Sequence, residues 1–148
     1  MAKEFIRVRS VKDIAVFTSL VVLGCVLVSL PAAPGVSLAG CLLVFSGIIL
    51  SLFMKSGYKD SETGEKYFKK EHYFKQTMHE PVSSAIATKP DKVDLSEENK
   101  GSTVRLDVYY AKKSGKAYLQ LFEYIPYRYE PCSKMYEHEL AKVSKLIR

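Results

Sequence analysis

Between Ile14 and Met54 the chain carries no Asp, Glu, Lys, Arg or His, and Leu30-Pro31-Ala32-Ala33-Pro34-Gly35 interrupts this apolar field once. About 20 apolar residues in a helix cross a hydrocarbon core about 30 Å thick. The pattern predicts a transmembrane helical hairpin over 14–54, with spans at 14–30 and 36–54 and a loop at 31–35. A basic segment, 1–13, precedes it, and a small domain, 55–148, follows.

Beyond Met54 the period changes. Thr103 to Tyr110 alternates Val104, Leu106, Val108 and Tyr110 with Thr103, Arg105, Asp107 and Tyr109, the signature of a half-buried strand. Ala117 to Ile125 is a second β-rich run, joined to the first by Lys112-Lys113-Ser114-Gly115-Lys116 and stopped by Pro126. Two strands alone are marginal in water, and the aromatic-rich Lys66–Gln76 segment supplies a third. In it Tyr67, Lys69, Glu71 and Tyr73 share one face, and Phe68, Lys70, His72 and Phe74 the other. Strands are expected near 66–76, 103–111 and 117–125. Residues 77–102 read as a polar connector with a short helix near Ser83–Ala87. Tyr136, Leu140, Val143 and Ile147 fall at i, i+4, i+7 and i+11. That stripe predicts a C-terminal helix near 133–147, capped by Ser133. The fold class is membrane-anchored α+β: a two-helix transmembrane hairpin, then a small antiparallel β-meander with a C-terminal helix.

Small residues show where the two spans meet, because lipid supplies no hydrophobic force between helices and close backbone approach must do the work. Ala15, Thr18, Val22, Cys25 and Ser29 share one face of the first span. Ser37, Gly40, Val44, Gly47 and Ser51 do the same in the second. These two faces are expected to pack together, leaving Phe17, Leu20, Leu27, Leu43, Leu50 and Phe53 to acyl chains. Proton relays and ion pathways place ionisable groups in the membrane; these spans contain none.

Net charge is +6, but its distribution points to topology rather than to nucleic acid. Lys3, Arg7, Arg9 and Lys12 precede the first span, Lys55, Lys59, Lys66, Lys69 and Lys70 follow the second, and the linker is uncharged. Lys and Arg near span ends stay cytoplasmic, so both termini are expected in the cytoplasm of an integral membrane protein (of the inner membrane, if the cell is bacterial). A signal peptide, or a lipobox at Leu38-Ala39-Gly40-Cys41, is the competing reading. A second apolar run follows the first at once, and Cys41 is followed by Leu-Leu-Val-Phe instead of a polar tether; both favour a retained hairpin.

No catalytic motif emerges. Cys25, Cys41 and Cys132 read as free thiols of a reducing compartment. Cys132 and His138 lie six residues apart, on different faces of the expected helix, without a third orienting group. His72, His79 and His138 lack metal-ligand spacing, and no Gly-rich phosphate loop is present. Tyr124-Ile125-Pro126-Tyr127-Arg128-Tyr129 suits either a recognition surface or the core and rim of a domain without Trp.

The sequence therefore predicts a non-enzymatic accessory or interaction protein that presents its domain to a protein partner at the membrane. No metal, cofactor or nucleic acid is expected, and homo-oligomerisation is compatible with the pattern. The alternative is a sensor or binding module for a small ligand or anionic lipid. Its candidate surface is Lys112, Lys113 and Lys116 at the hairpin tip with Lys142, Lys145 and Arg148.

Overall fold

The computed structural model describes residues 3–148. Two long apolar helices are followed by an antiparallel β-meander sheet and a C-terminal helix. The chain forms two compact units, Ile6–Tyr58 and a second that joins Lys3, Glu4 and Phe5 to Lys59–Arg148.

The helical unit contains α1 (Val11–Ser29) and α2 (Pro34–Phe53). Pro34 opens α2, where a missing backbone N–H costs nothing. Both helices are long and apolar enough to cross a membrane, and Leu38, Leu42, Phe45, Leu52 and Phe53 lie more than 60 % exposed. Serine hydroxyls close on their own helices. Ser19, Ser29 and Ser46 donate to the carbonyls of Ala15, Cys25 and Leu42 at 2.7–2.8 Å. No hydroxyl of these three therefore demands a partner from outside.

The second unit is built on a sheet. Its strands are β1 (Phe5–Val8), β2 (Gly57–Asp60), β3 (Lys66–Phe74), β4 (Val104–Ala111), β5 (Lys116–Ile125), β6 (Arg128–Pro131) and β7 (Tyr136–Glu139), β1 and β2 running across the division between the units. The strand order is β1-β2-β3-β4-β5-β6, and β7 also pairs β5. Register places Phe68 opposite Tyr110, His72 opposite Leu106, and Leu106 opposite Leu121. Side chains alternate across the pleat. One face therefore collects Phe74, Val104, Leu106, Val108, Leu119 and Leu121, all fully buried. Val82 and Ile86 of α3 (His79–Thr88), Val93 of the connector, and Val143 and Leu146 at the C-terminus complete this core.

Beyond β1, β2 and β6, short strands that the sequence pattern did not predict, two regions differ from the sequence expectation. The helix near 133–147 is confined to α4 (Ser144–Ile147) after a 3-10 turn at Leu140–Val143. Tyr136–Glu139 is instead a strand, pairing Lys116–Leu119 of β5. A free strand edge attracts backbone partners, and tertiary context overrides a weak helical stripe. Ser133 caps no helix. Its Oγ accepts from the Leu121 backbone N–H at 2.9 Å, while the Cys132 N–H donates to the Leu121 carbonyl at 2.9 Å. These two bonds fill the gap between β6 and β7 along β5. The second difference is α3, which at His79–Thr88 is longer than the short helix expected near Ser83–Ala87.

Candidate interaction surface

Within this unit α3 and the C-terminal turn cover one face of the β3–β4–β5 sheet. The other carries charge and rings, and its arrangement follows from register. Glu71 of β3 stands opposite Asp107 of β4, two like charges that would repel. Cations on the diagonals resolve this. The Lys69 ammonium bridges Glu71 at 2.5 Å and Asp107 at 2.9 Å. Arg105 holds Asp107 through Nε at 2.8 Å and a second nitrogen at 3.2 Å. Its guanidinium lies 4.7 Å from the Phe122 ring centre and 4.6 Å from that of Tyr129, a cation held between two quadrupoles. Burial pushes the Asp107 carboxyl up, against the pull of Lys69 and Arg105. Burial opposes ionisation of Glu71 as well, but the hydrogen bonds from Lys69 and Tyr73 prevail and hold it low. Tyr73 donates to Glu71 at 2.6 Å, and that bond together with burial raises the phenol to about 12. Two acids and two bases thus form a compact, formally neutral cluster, in which Arg105 Nε and Asp107 Oδ1 stand close without hydrogen-bond geometry. Such a network rigidifies the face.

The N-terminal residues close one side of this face. Phe5 stacks on Tyr109 with centroids 4.3 Å apart and meets Tyr67 and Tyr118 at 5.0 and 5.8 Å. Lys3 pairs with Asp60 at 3.0 Å and donates to the Tyr118 hydroxyl at 3.0 Å. Asp60 is fully buried. Burial works against its charge, but Thr63, the Glu62 N–H and Lys3 outweigh it and hold the carboxyl below the usual range.

The chain matches no protein-family model, no curated protein and no solved structure.

Geometry distributes the lysines named from sequence. Lys112 and Lys113 project from the β4–β5 turn, where Gly115 takes φ 68°. Lys116 pairs with Glu137 at 2.9 Å, and Lys142 shares a hollow with both. Lys145 donates to the Val93 carbonyl at 3.1 Å, and the Arg148 carbonyl accepts from Lys70, so these two serve to fasten the C-terminal turn. Cys132 and His138 stay apart. The His138 ring meets the Ile86 carbonyl at 2.5 Å, while Cys132 stands 3.4 Å from His79, a neighbour that sequence spacing did not suggest. Burial and Glu123 push the Cys132 thiol up, away from the thiolate a nucleophile requires.

In the helical unit, contact runs through glycine. A Cβ on Gly24 would stand 2.6 Å from the Gly40 carbonyl oxygen, and one on Gly40 2.7 Å from that of Gly24. Val44 packs over Gly24, Val28 over Gly40, and Val21 and Phe17 over Gly47. On α2 the structure turns Gly40 and Gly47 fully inward, with Ser37, Val44 and Ser51 half-buried on that side. On α1 it exposes Ala15, Thr18, Val22, Cys25 and Ser29 and turns Phe17, Leu20, Val21 and Gly24 inward. The reason is steric: Gly24, the smallest residue of α1, lies off the Ala15 stripe, and it alone admits another backbone.

A buried carboxylate ties the open ends of this hairpin. Asp13 accepts from Ser10 N–H at 2.9 Å, completing a capping box. It also accepts from the Ser56 N–H at 2.8 Å and the Ser56 hydroxyl at 2.6 Å. The sequence signal was Ser10-Val11-Lys12-Asp13, serine followed three residues later by an acid.

Proposed function

We infer that the chain is an integral membrane protein whose helical hairpin is retained, with both ends on one side of the bilayer. It acts without catalysis, as an accessory that presents a rigid domain to a protein partner. One observation carries this reading. Lys3 and Phe5 are built into the domain formed by Lys59–Arg148. Cleavage after α1, or at Cys41, would strip Phe5 from Tyr67, Tyr109 and Tyr118 and Lys3 from Asp60. A chain whose ends share one domain crosses a bilayer an even number of times, and α1 and α2 supply two crossings. The accessory role draws on the neutral Lys69–Glu71–Arg105–Asp107 cluster, whose groups are all paired with one another, and on an aromatic, arginine-bearing face of the kind that dominates binding hot spots.

Two measurements test it. Single cysteines at Ala33 and Lys113, in a chain with its native cysteines replaced by serine, are expected to react with an impermeant maleimide from opposite sides of sealed vesicles. Labelling of both from one side overturns the topology. Purification of the tagged full chain in mild detergent is expected to retain one near-stoichiometric partner, and to weaken its retention on Arg105→Lys, which keeps a cation beside Asp107 but removes the planar guanidinium, with the fold intact by circular dichroism. Recovery of the chain alone overturns the accessory role.

A further inference from the structure

The β5–β6 turn combines a left-handed non-glycine residue with the most exposed of the domain's large apolar side chains, ahead of Phe68 at 57 %. Ile125 pairs with Arg128 across Pro126-Tyr127, a two-residue turn whose second position requires positive φ, ordinarily glycine. Tyr127 occupies it at φ 77°, the one non-glycine with positive φ among the described residues, whereas three other left-handed positions use Gly64, Gly101 and Gly115. Tyr127 is also 97 % exposed, beside Tyr124 and Ile125 at 46 % and 44 %. A strained backbone that holds a large ring in water contributes nothing to packing, so its use lies outside the domain.

Strand direction identifies the occupant. The chain enters this unit along β2, at Lys59, running toward the turn at 61–65. The β4–β5 turn lies at that same far end, because Lys113 and Ser114 line one hollow with Thr63, Gly64, Glu65 and Lys66. β5 runs back the other way, so its tip lies beyond Phe74, at the end of the sheet from which the chain arrives. Lys75 and Lys100 are exposed at this end, and the Tyr129 hydroxyl anchors β6 to the Ser102 carbonyl at 2.7 Å. Tyrosine presents an apolar ring and a polar hydroxyl, the combination that concentrates at membrane–water interfaces, and lysine suits anionic headgroups.

We propose that Tyr124, Ile125 and Tyr127 form an interfacial anchor that seats the domain on the bilayer crossed by its own hairpin. This rests on the transmembrane reading above, and the test separates the two. The chain has no Trp, so single indoles report local depth. Y127W, F45W and K113W full chains are reconstituted in vesicles of phosphatidylcholine and phosphatidylglycerol, with bromines placed shallow or deep on the acyl chains. The F45W indole is expected to be quenched by deep bromines and the Y127W indole by shallow ones, with emission shifted to shorter wavelength. K113W stays unquenched. Quenching in F45W without quenching in Y127W overturns the anchor and leaves the hairpin standing. No quenching in F45W removes the transmembrane reading and the anchor with it. A second variant keeps folding separate from docking. Y127G takes the same φ without strain, so its thermal midpoint is expected to stay or rise, while a Y124W reporter loses at least half of its quenching. A lowered midpoint would mean that the ring serves packing, and the anchor would fail.

Discussion

Gly24→Ala sets two opposing effects against each other. In a helix interior alanine gains about 1 kcal/mol over glycine, so propensity alone makes the change stabilising. The new Cβ, however, would lie 2.6 Å from both the Gly40 carbonyl oxygen and Val44 Cγ2, and 2.8 Å from the Val44 nitrogen. Two of these are backbone atoms of α2, which cannot turn aside as a side chain can. Restoring a 3.4 Å contact from 2.6 Å means separating the helices by about 0.8 Å, which loosens the Val21, Val28 and Val44 contacts as well. Overpacking of this kind costs about 1–3 kcal/mol, so the clash prevails and the net loss is about 1 kcal/mol, roughly fivefold in the folded-to-open ratio. Gly35→Ala is the control, since nothing lies within 4 Å of its added Cβ. Gly24 and Gly40 face each other, so the double variant is expected to lose less than the sum of the singles. Donor and acceptor dyes at K12C and K55C, with Cys25, Cys41 and Cys132 changed to serine, report hairpin opening during titration with dodecyl sulfate. A G24A midpoint at or above the parent's would refute the glycine contact.

Three further outcomes follow from other contacts. Phe5→Ala removes a half-buried ring from the Tyr67–Tyr109–Tyr118 cluster and is expected to destabilise the domain by about 2 kcal/mol, read as a lower thermal midpoint while the helical circular-dichroism signal persists. Asp13→Ala strands the Ser10 and Ser56 N–H groups at the hairpin base. A loss of about 1–3 kcal/mol should appear in the same dye assay, Asp13→Asn falling between, and an unchanged midpoint would dismiss the tie. Tyr67 is raised to about 12 by burial and its bond to Glu65, and Tyr73 likewise by its bond to Glu71. Both pKa values rise on folding, so their stabilisation is complete below pH 10 and vanishes as pH climbs through 12. Absorbance at 295 nm should show a late phase near pH 12, reduced in Y67F and in Y73F; its absence from the parent would contradict the two bonds.

The legible parts of this fold were those governed by a single local period. The apolar field of 14–54 and the alternation of Val104–Tyr110 give the two long helices and β4 directly, and the two faces read for Lys66–Phe74 are the faces of β3. What escaped depends on residues far apart in the chain. Tyr136–Glu139 carries a period-2 pattern as well as the helical stripe, and only the vacant edge of β5 decides between them. Phe5 has no local signal at all, because its partners lie at 67, 109 and 118. On α1, ranking positions by residue size over a whole stripe hid Gly24, where one missing Cβ outweighs five small side chains.

The stitching of residues 3–5 into a domain that otherwise begins at Lys59 bears on how the chain is made. Translation delivers β1 first, then the two helices and β2, but the Tyr118 contacts of Phe5 and Lys3 wait until β5 has emerged. In the membrane-spanning reading proposed above, insertion of one helix alone would leave Phe5 on the opposite side of the bilayer from Tyr67, Tyr109 and Tyr118, and Lys3 on the opposite side from Asp60. The aromatic patch would then stay uncovered, so closure of the domain would report that both helices have crossed.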